Sequence, residues 1–285
     1  MKPLSERQAK IARALAVDGP LRLFAKPLFR AALAGQVQWF AARMGAPRTL
    51  PEGKVTAVIK TFERPRRCKA LVASIRRGWP DLPIIVVDDS RAPGDYPGCR
   101  VIRLPFNVGL SAGRNAGLAA VETEYVLNLD DDFLFERGTA VDGALALLEQ
   151  HPQVDLLAGL VIDLPLLIRH DSSHARLFGA PPAPIIAAGT MVGPVRVMDK
   201  VPNFFLARTA AVKAIGWDPE LKLLEHADFF SRARGRIVSA QWDGWRILHQ
   251  RDPFDRHYRI FRDNAAESLA HLKRKYGLGS PPSAA

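Results

Sequence analysis

Three carboxylates in a row, Asp130-Asp131-Asp132, follow the apolar run Tyr125–Leu129. Side by side they repel one another unless a cation lies among them. Hard oxygen ligands of this kind suit Mg²⁺ or Mn²⁺, which commonly complete their shells with water and substrate phosphates. An isolated acidic triplet is more often a solvated loop. Here an apolar strand precedes it and Phe133 follows, which pins the carboxylates at a strand end. Two further apolar runs end in polar clusters: Ile59-Lys60-Thr61-Phe62-Glu63-Arg64-Pro65 and Val86-Val87-Asp88-Asp89-Ser90. The stretch Gly109-Leu110-Ser111-Ala112-Gly113-Arg114-Asn115 opens a helix with Ser111 as its predicted N-cap. Free backbone N–H groups there, with Arg114, could meet a phosphate. The glycines do not spell a dinucleotide fingerprint, and packing alone would also account for them. Near the C-terminal third, Glu225 and Asp228 lie three apart on one helix face, and His226 points elsewhere. Carboxylates in a first helical turn also arise from charge stabilisation alone.

These clusters need a scaffold, and its elements are legible. Val55–Lys60, Pro83–Val87, Val101–Leu104 and Tyr125–Leu129 read as strands, separated by helices over 66–78 and Ser111–Val121. Strand–helix–strand alternation predicts a parallel sheet covered on both faces, and such sheets bind ligands at the carboxyl ends of their strands. Further on, Asn203–Ala207 reads as a strand, with helices over Thr209–Ile215, Leu224–Arg234 and 258–276. Residues 171–195 are rich in Pro and Gly and read as a long excursion, and the tail beyond 276 as disordered.

Composition narrows the function classes. The chain has 285 residues, 40 Lys+Arg against 29 Asp+Glu, and two cysteines, Cys68 and Cys99. A disulfide scaffold and a Cys-rich metal module are excluded, and a reducing compartment is the simpler setting. No run reaches the length needed to span a bilayer, and no secretory signal is visible, so a cytoplasmic protein is expected. The positive charge is uneven: residues 1–50 hold nine cations against Glu6 and Asp18, which is +7 of the net +11. Within them Phe29, Leu33, Val37, Phe40 and Met44 recur at helical spacing. This basic amphipathic segment suits either the anionic inner face of a membrane or packing on the main domain. No nucleic-acid motif is present, and no nucleic-acid partner is expected.

Taken in order, Ile59–Pro65, Val86–Ser90, Gly109–Asn115 and Leu127–Asp132 resemble a family 2 glycosyltransferase of the GT-A fold. The later Asn203–Arg208 and Glu225–Phe230 are most similar to the β-1,4-N-acetylgalactosaminyltransferase branch, and the resemblance covers roughly residues 55–250. It implies an α/β/α sandwich of three layers with a mostly parallel central sheet, extended by N- and C-terminal helices. The implied division is a basic segment over 1–50, a GT-A domain over 51–255 whose nucleotide-binding half ends near 135, and a C-terminal helix and tail over 256–285.

By the same resemblance, Thr61, Glu63 and Arg64 line the nucleotide pocket, and Asp89 or Asp88 bonds the uracil ring. Gly109, Ser111, Arg114 and Asn115 face the nucleotide and its diphosphate. Asp130-Asp131-Asp132 stands at the family's D-x-D: Asp130 reaches the ribose or the metal shell, and Asp132 binds Mn²⁺ or Mg²⁺ directly. His249 occupies the place of a further metal ligand. Many relatives read Glu-Asp where this chain has Glu225-His226, so the base is Glu225, Asp228 or His226, with Glu225 favoured. The implied activity is inverting, metal-dependent transfer of GalNAc, GlcNAc, Gal or Glc from a UDP-sugar to a hydroxyl of a glycan or glycolipid. Trp217, Trp242 and Trp245 either stack on sugars or fill the core. A sugar-phosphate nucleotidyltransferase would want a glycine-rich loop after the first strand, and Thr61–Pro65 has none. A non-catalytic membrane-recruited module is the other rival, and the intact carboxylates argue against it.

Overall fold

The computed structural model describes residues 17, 19–169, 177–255, 258, 260–261 and 265–278. Along the chain run α1 (Arg22–Ala42), β1 (Val55–Thr61), α2 (Pro65–Gly78), β2 (Ile84–Asp88), β3 (Arg100–Arg103), α3 (Leu110–Ala119), β4 (Tyr125–Asp130) and β5 (Phe133–Leu134). The second half adds α4 (Val141–Gln150), β6 (Leu156–Asp163), β7 (Ile168–Arg169), β8 (Met191–Val192), β9 (Val195–Val197) and β10 (Phe205–Arg208). It closes with α5 (Thr209–Ile215), α6 (Glu225–Ala233), β11 (Ser239–His249) and α7 (Ala266–Tyr276).

One sheet joins these strands in the order β3-β2-β1-β4-β10-β6-β11-β9-β8, with β5 beside β11 and β7 beside β6. The four strands β3, β2, β1 and β4 are parallel. Strand β10 lies antiparallel between β4 and β6, and β6 and β11 are parallel again. β1 is buried along its whole length, and its alternate side chains go to opposite faces. Val55, Ala57 and Ile59 meet Leu71 and Ile75 of α2 in one core, whereas Val58 joins Leu118 of α3 and Phe229 and Phe230 of α6 in the other. Helices α2 and α4 therefore cover one face, and α3, α5 and α6 the other. This is the three-layer arrangement expected from the sequence.

Register lines up the chemistry. Thr61 pairs with Asp88 across β1–β2, and Lys60 with Asp130 across β1–β4. His249 at the end of β11 pairs with Asp163 of β6 and with Phe133 of β5. The polar strand ends thus form one edge. The indoles of Trp217 and Trp245 are buried in the two cores and Trp242 packs against one of them, so their role is packing.

Two expectations change in detail, and of the two alternatives for the stripe on α1 one holds. Helix α3 begins at Leu110 with Gly109 as its cap, because Gly109 takes a left-handed φ of 101°. Ser111 is therefore inside the helix and not its N-cap. The excursion over 171–195 contains β8, while 170–176 and the tail from 279 lie outside the described residues. The stripe on α1 packs on the domain: Leu33 sits with Leu134, Leu164 and Leu248, flanked by Phe29, Val37 and Phe40, and Met44 joins the larger core. Phe29 stacks edge-on to Phe254 at 5.5 Å, and Arg30 bonds Asp252 at 3.0 Å. That stripe is not available to a membrane. Among the described residues, no helix is long and apolar enough to cross one.

Because Leu33 is the buried centre of that contact, Leu33→Ala is expected to cost about 2–4 kcal/mol, whereas exposed Phe24→Ala stays within roughly 0.5 kcal/mol. Urea unfolding checks this; equal midpoints for the two variants would show that α1 is not docked through Leu33.

Candidate active site

The triplet at the end of β4 is divided between two arginines. Asp131 and Asp132 both bind the guanidinium of Arg64, at 2.8 Å for Asp132, and Thr61 Oγ1 donates to Asp131 at 2.8 Å. Tyr258 lies over that guanidinium at 3.7 Å. The most open of the three is Asp130, its side chain 30% exposed, which accepts from Arg114 Nη2 at 2.7 Å. Arg114 is buried, and its other terminal nitrogen donates to buried Glu225 at the first residue of α6. One guanidinium thus joins the strand-end acid to the helix-start acid.

On the opposite flank stands His249. Its Nε2 lies 3.2 Å from Asp132 Oδ2, and its Nδ1 lies 2.6 Å from Asp163 Oδ1. Burial opposes the charge, but Asp132 and Asp163 raise the imidazole to about 10. Burial pushes the Asp131 carboxyl up to about 6 against the pull of Arg64. Asp132 is equally desolvated, yet Arg64 and His249 hold it well below the usual carboxylate range.

Several residues expected at the ligand support the frame instead. Asp88 is fully buried and accepts from the backbone N–H of Ser90 and Gly94 and from Tyr96 Oη, at 2.8–3.0 Å. Asp89 accepts from buried Lys60 and, at 3.1 Å, from the Gly109 N–H. Neither carboxylate reaches solvent. Asn115 clamps the backbone of Trp217, accepting at 2.8 Å and donating at 2.7 Å. The N–H groups of Gly109 and Leu110 are spent on Asp89 and on Lys222 O, so those two donors are not offered to a phosphate. Ser111 is buried beneath it. Gly113 is required by close approach, since a Cβ there would fall 2.1 Å from Lys60 Cε. Glu63, in a left-handed turn at φ 55°, binds the Arg91 N–H at 2.7 Å and holds the loop after β1 to that after β2.

The helix acids also separate. Asp228 is fully buried among Arg232 Nε at 2.8 Å, Lys275 Nζ at 2.6 Å and Tyr276 Oη at 2.7 Å. It anchors α6 to α7 and is turned away from Asp130. His226 is half-buried and packs edge-on against Phe230 at 5.1 Å; burial, with Lys200 and Arg114 nearby, pushes its imidazole well below the usual range. Of the three candidate bases, only Glu225 shares a partner with the triplet.

The family model for "Glycosyl transferase family 2" matches residues 56–216. The chain belongs to that family. It is 34% identical to beta-1,4 N-acetylgalactosaminyltransferase 2 of Mus musculus over 209 residues, covering 69% of this chain and 39% of the relative. With beta-1,4 N-acetylgalactosaminyltransferase 1 of Homo sapiens the identity is 34% over 218 residues, covering 68% and 40%. A pre-mycofactocin glycosyltransferase of Mycobacterium tuberculosis is 30% identical over 230 residues, covering 74% and 45%. The chain spans about two fifths of the length of the curated relatives it matches. Among solved structures, S. aureus TarS 1–349 in complex with UDP superposes with a TM-score of 0.51 at 20% identity, covering 78% of this chain and 69% of that one. The same fragment in complex with UDP-GlcNAc gives 0.52 at 18%, covering 78% and 70%. At that identity the likeness is one of fold.

For this family 2 chain, the metal-ligand expectation can be tested on the donor set. Among the described residues, no three His, Cys, Asp or Glu side chains converge in metal-ligating geometry. Asp130 is held aside by Arg114. Asp132 and His249 do lie together, and Asp163 backs the imidazole in the manner of an outer-shell carboxylate. Two protein ligands, with waters and a diphosphate, are a sufficient set for Mn²⁺ or Mg²⁺. Proton and cation would compete for that pair.

Asp163 joins the site through His249 without having been expected there, and buried Lys60 joins the frame behind it through Asp89. Asp163 ends the apolar Leu156–Ile162 as Asp130 ends Tyr125–Leu129, a signal open to the same reading. Lys60 inside β1 gave no comparable sign.

Since Asp228 neutralises Arg232 and Lys275 and accepts from Tyr276 in a fully buried position, Asp228→Ala is expected to cost about 3 kcal/mol. Chemical denaturation reads that cost, and a variant as stable as the parent would show that Asp228 is not an anchor.

Proposed function

We propose that this family 2 chain transfers a sugar from a UDP-sugar to an acceptor hydroxyl with inversion, using Glu225 as base and Asp132 with His249 as the seat of Mn²⁺ or Mg²⁺. The observation that carries the reading is Arg114, which binds Asp130 of the strand-end triplet and Glu225 of α6 at once. A donor held at the strand ends and an acceptor approaching α6 would meet across that guanidinium.

In this reading Glu225 takes the proton of the acceptor hydroxyl, the oxygen forms its bond to the anomeric carbon, and the bond from that carbon to the diphosphate breaks. UDP leaves with the electron pair. Positioning of the two reactants and the base together lowers the barrier. The divalent ion, when bound, neutralises charge on the departing diphosphate. Arg64 can serve the same diphosphate once released from Asp131 and Asp132, because a guanidinium forks equally well to phosphate and carboxylate. The buried acids Asp88 and Asp89 act indirectly, fixing the loops that would border the base. A UDP donor is supported by the TarS complexes with UDP and with UDP-GlcNAc. N-acetylgalactosamine is supported by the curated relatives' names.

A screen of UDP-sugars with Mn²⁺, read as UDP release with and without glycan acceptors, tests the assignment; no turnover with any UDP-hexose or N-acetylhexosamine would overturn it. Within it, Glu225→Gln is expected to lower kcat by roughly 10²–10⁴-fold with little change in donor KM. Retained turnover in that variant would move the base elsewhere.

A further inference from the structure

Helix α1 carries a second apolar stripe, on the side away from the domain. Phe24, Leu28, Ala31, Gly35, Trp39 and Ala42 follow one another at spacings of three and four, which places them on one line of the helix. All are exposed: Phe24 is 72%, Leu28 70% and Trp39 50% accessible, and neighbouring Leu23 is 81%. With Leu33 and its neighbours buried on the opposite side, α1 is apolar on both faces and covered on one. A helix of that kind is built to be covered twice. A second exposed apolar group lies on the turn between β6 and β7 and at the start of β7, where Leu166, Leu167 and Ile168 are all more than half exposed. That turn is fixed beside α1, for Gln36 donates to Pro165 O at 2.8 Å and Leu164 packs in the Leu33 cluster.

Charge says what covers the patch. Residues 19–50 contain five cations and no carboxylate; Arg30 is paired with Asp252 and Arg48 with Asp142, which leaves Arg22, Lys26 and Arg43 for a surface. Arg22 and Lys26 stand at one end of α1 and Arg43 at the other, its guanidinium 4.1 Å over the Trp39 ring. An uncharged face bordered by long cations, with an indole at its edge, matches the headgroup boundary of an anionic bilayer: rings and aliphatic chains enter it while Arg and Lys reach out to phosphates. The helix is about 10 Å across, so even cations on its inner flank stay within about one Debye length of such a surface.

We propose that the outer face of α1, with the Leu166–Ile168 turn, is a docking surface for an anionic membrane. A consequence follows for access to the site. A cavity of about 690 Å³ runs between α1 and the start of α2, walled by Leu33, Ala34 and Gln38 on one side and by Arg64 and Arg67 on the other. Gln38 borders the outer face, so docking sets the edge of this cavity at headgroup level, beside the arginine that holds Asp131 and Asp132. An amphiphilic acceptor would be presented there. The docking itself is independent of the transfer reaction and is read without it.

The test is co-sedimentation of the full chain with phosphatidylcholine vesicles containing about 30% phosphatidylserine, against phosphatidylcholine alone. Binding is expected to the anionic vesicles near 0.1 M salt and to be lost near 1 M, where the Debye length falls to about 3 Å. The double variant Phe24→Ser/Leu28→Ser, altered only at exposed positions, is expected to bind at least about tenfold more weakly while keeping the parent's melting temperature. Undiminished vesicle binding by that variant, or equal binding to neutral vesicles, overturns the proposal. So does a parent that is dimeric by light scattering and becomes monomeric in the double variant, because the face would then belong to a second copy.

Discussion

Repulsion among Asp130, Asp131 and Asp132 is the constraint around which the rest of this molecule is arranged. Two like charges about 4 Å apart cost about 1 kcal/mol in water and about 4 kcal/mol at an effective dielectric of 20, and here the acids crowd at the end of one strand. Arg64 takes up two of them and Arg114 the third. Each arginine comes from the turn that follows a neighbouring strand or from the helix that covers the sheet. The site is therefore a property of the sheet edge as a whole.

That dependence explains the second ring of buried charge. Arg114 can reach Asp130 only if α3 is seated closely on β1, and Lys60 occupies the space that the missing side chain of Gly113 leaves. Lys60 in turn needs Asp89, and Asp89 fixes Gly109 at the start of α3. On the other flank, the pairing of β11 with both β5 and β6 delivers His249 between Asp132 and Asp163. Helix α7 contributes from a distance: through Lys275 and Tyr276 it pins Asp228, and thereby sets how α6 presents Glu225. Charged groups buried in this way are costly alone and stable only as completed sets.

Much of this was legible in the sequence. Strands β1, β2 and β4 are uninterrupted apolar runs closed by polar residues, and α2 and α3 between them have clear apolar faces, so the parallel half of the sheet follows from local pattern. Strands β6 and β11 did not follow as readily, because their pairing joins segments some eighty residues apart. Among site residues, the triplet, Arg64, Arg114, Glu225 and His249 come together at one edge. Asp88, Asp89 and Asn115 carry the right chemistry for a ligand, yet they spend it on Tyr96, Lys60 and backbone groups that only the folded chain brings near. Glu225 and Asp228 could not be told apart by spacing, since what separates them is Lys275 and Tyr276 from another helix. The apolar stripe of α1 was legible as a stripe, and between a membrane and the main domain the fold supplies the second, through Leu134, Leu164 and Leu248.

The central claim is that the end of β4 receives a diphosphate together with a divalent ion, displacing Arg64 from its carboxylates. Calorimetric titration of UDP into the parent and into Asp132→Asn, each with Mn²⁺ and with EDTA, tests it most directly. The account predicts tight binding only for the parent with Mn²⁺, weakened at least about tenfold by the chelator or the substitution. Equal affinity in all four titrations would contradict it.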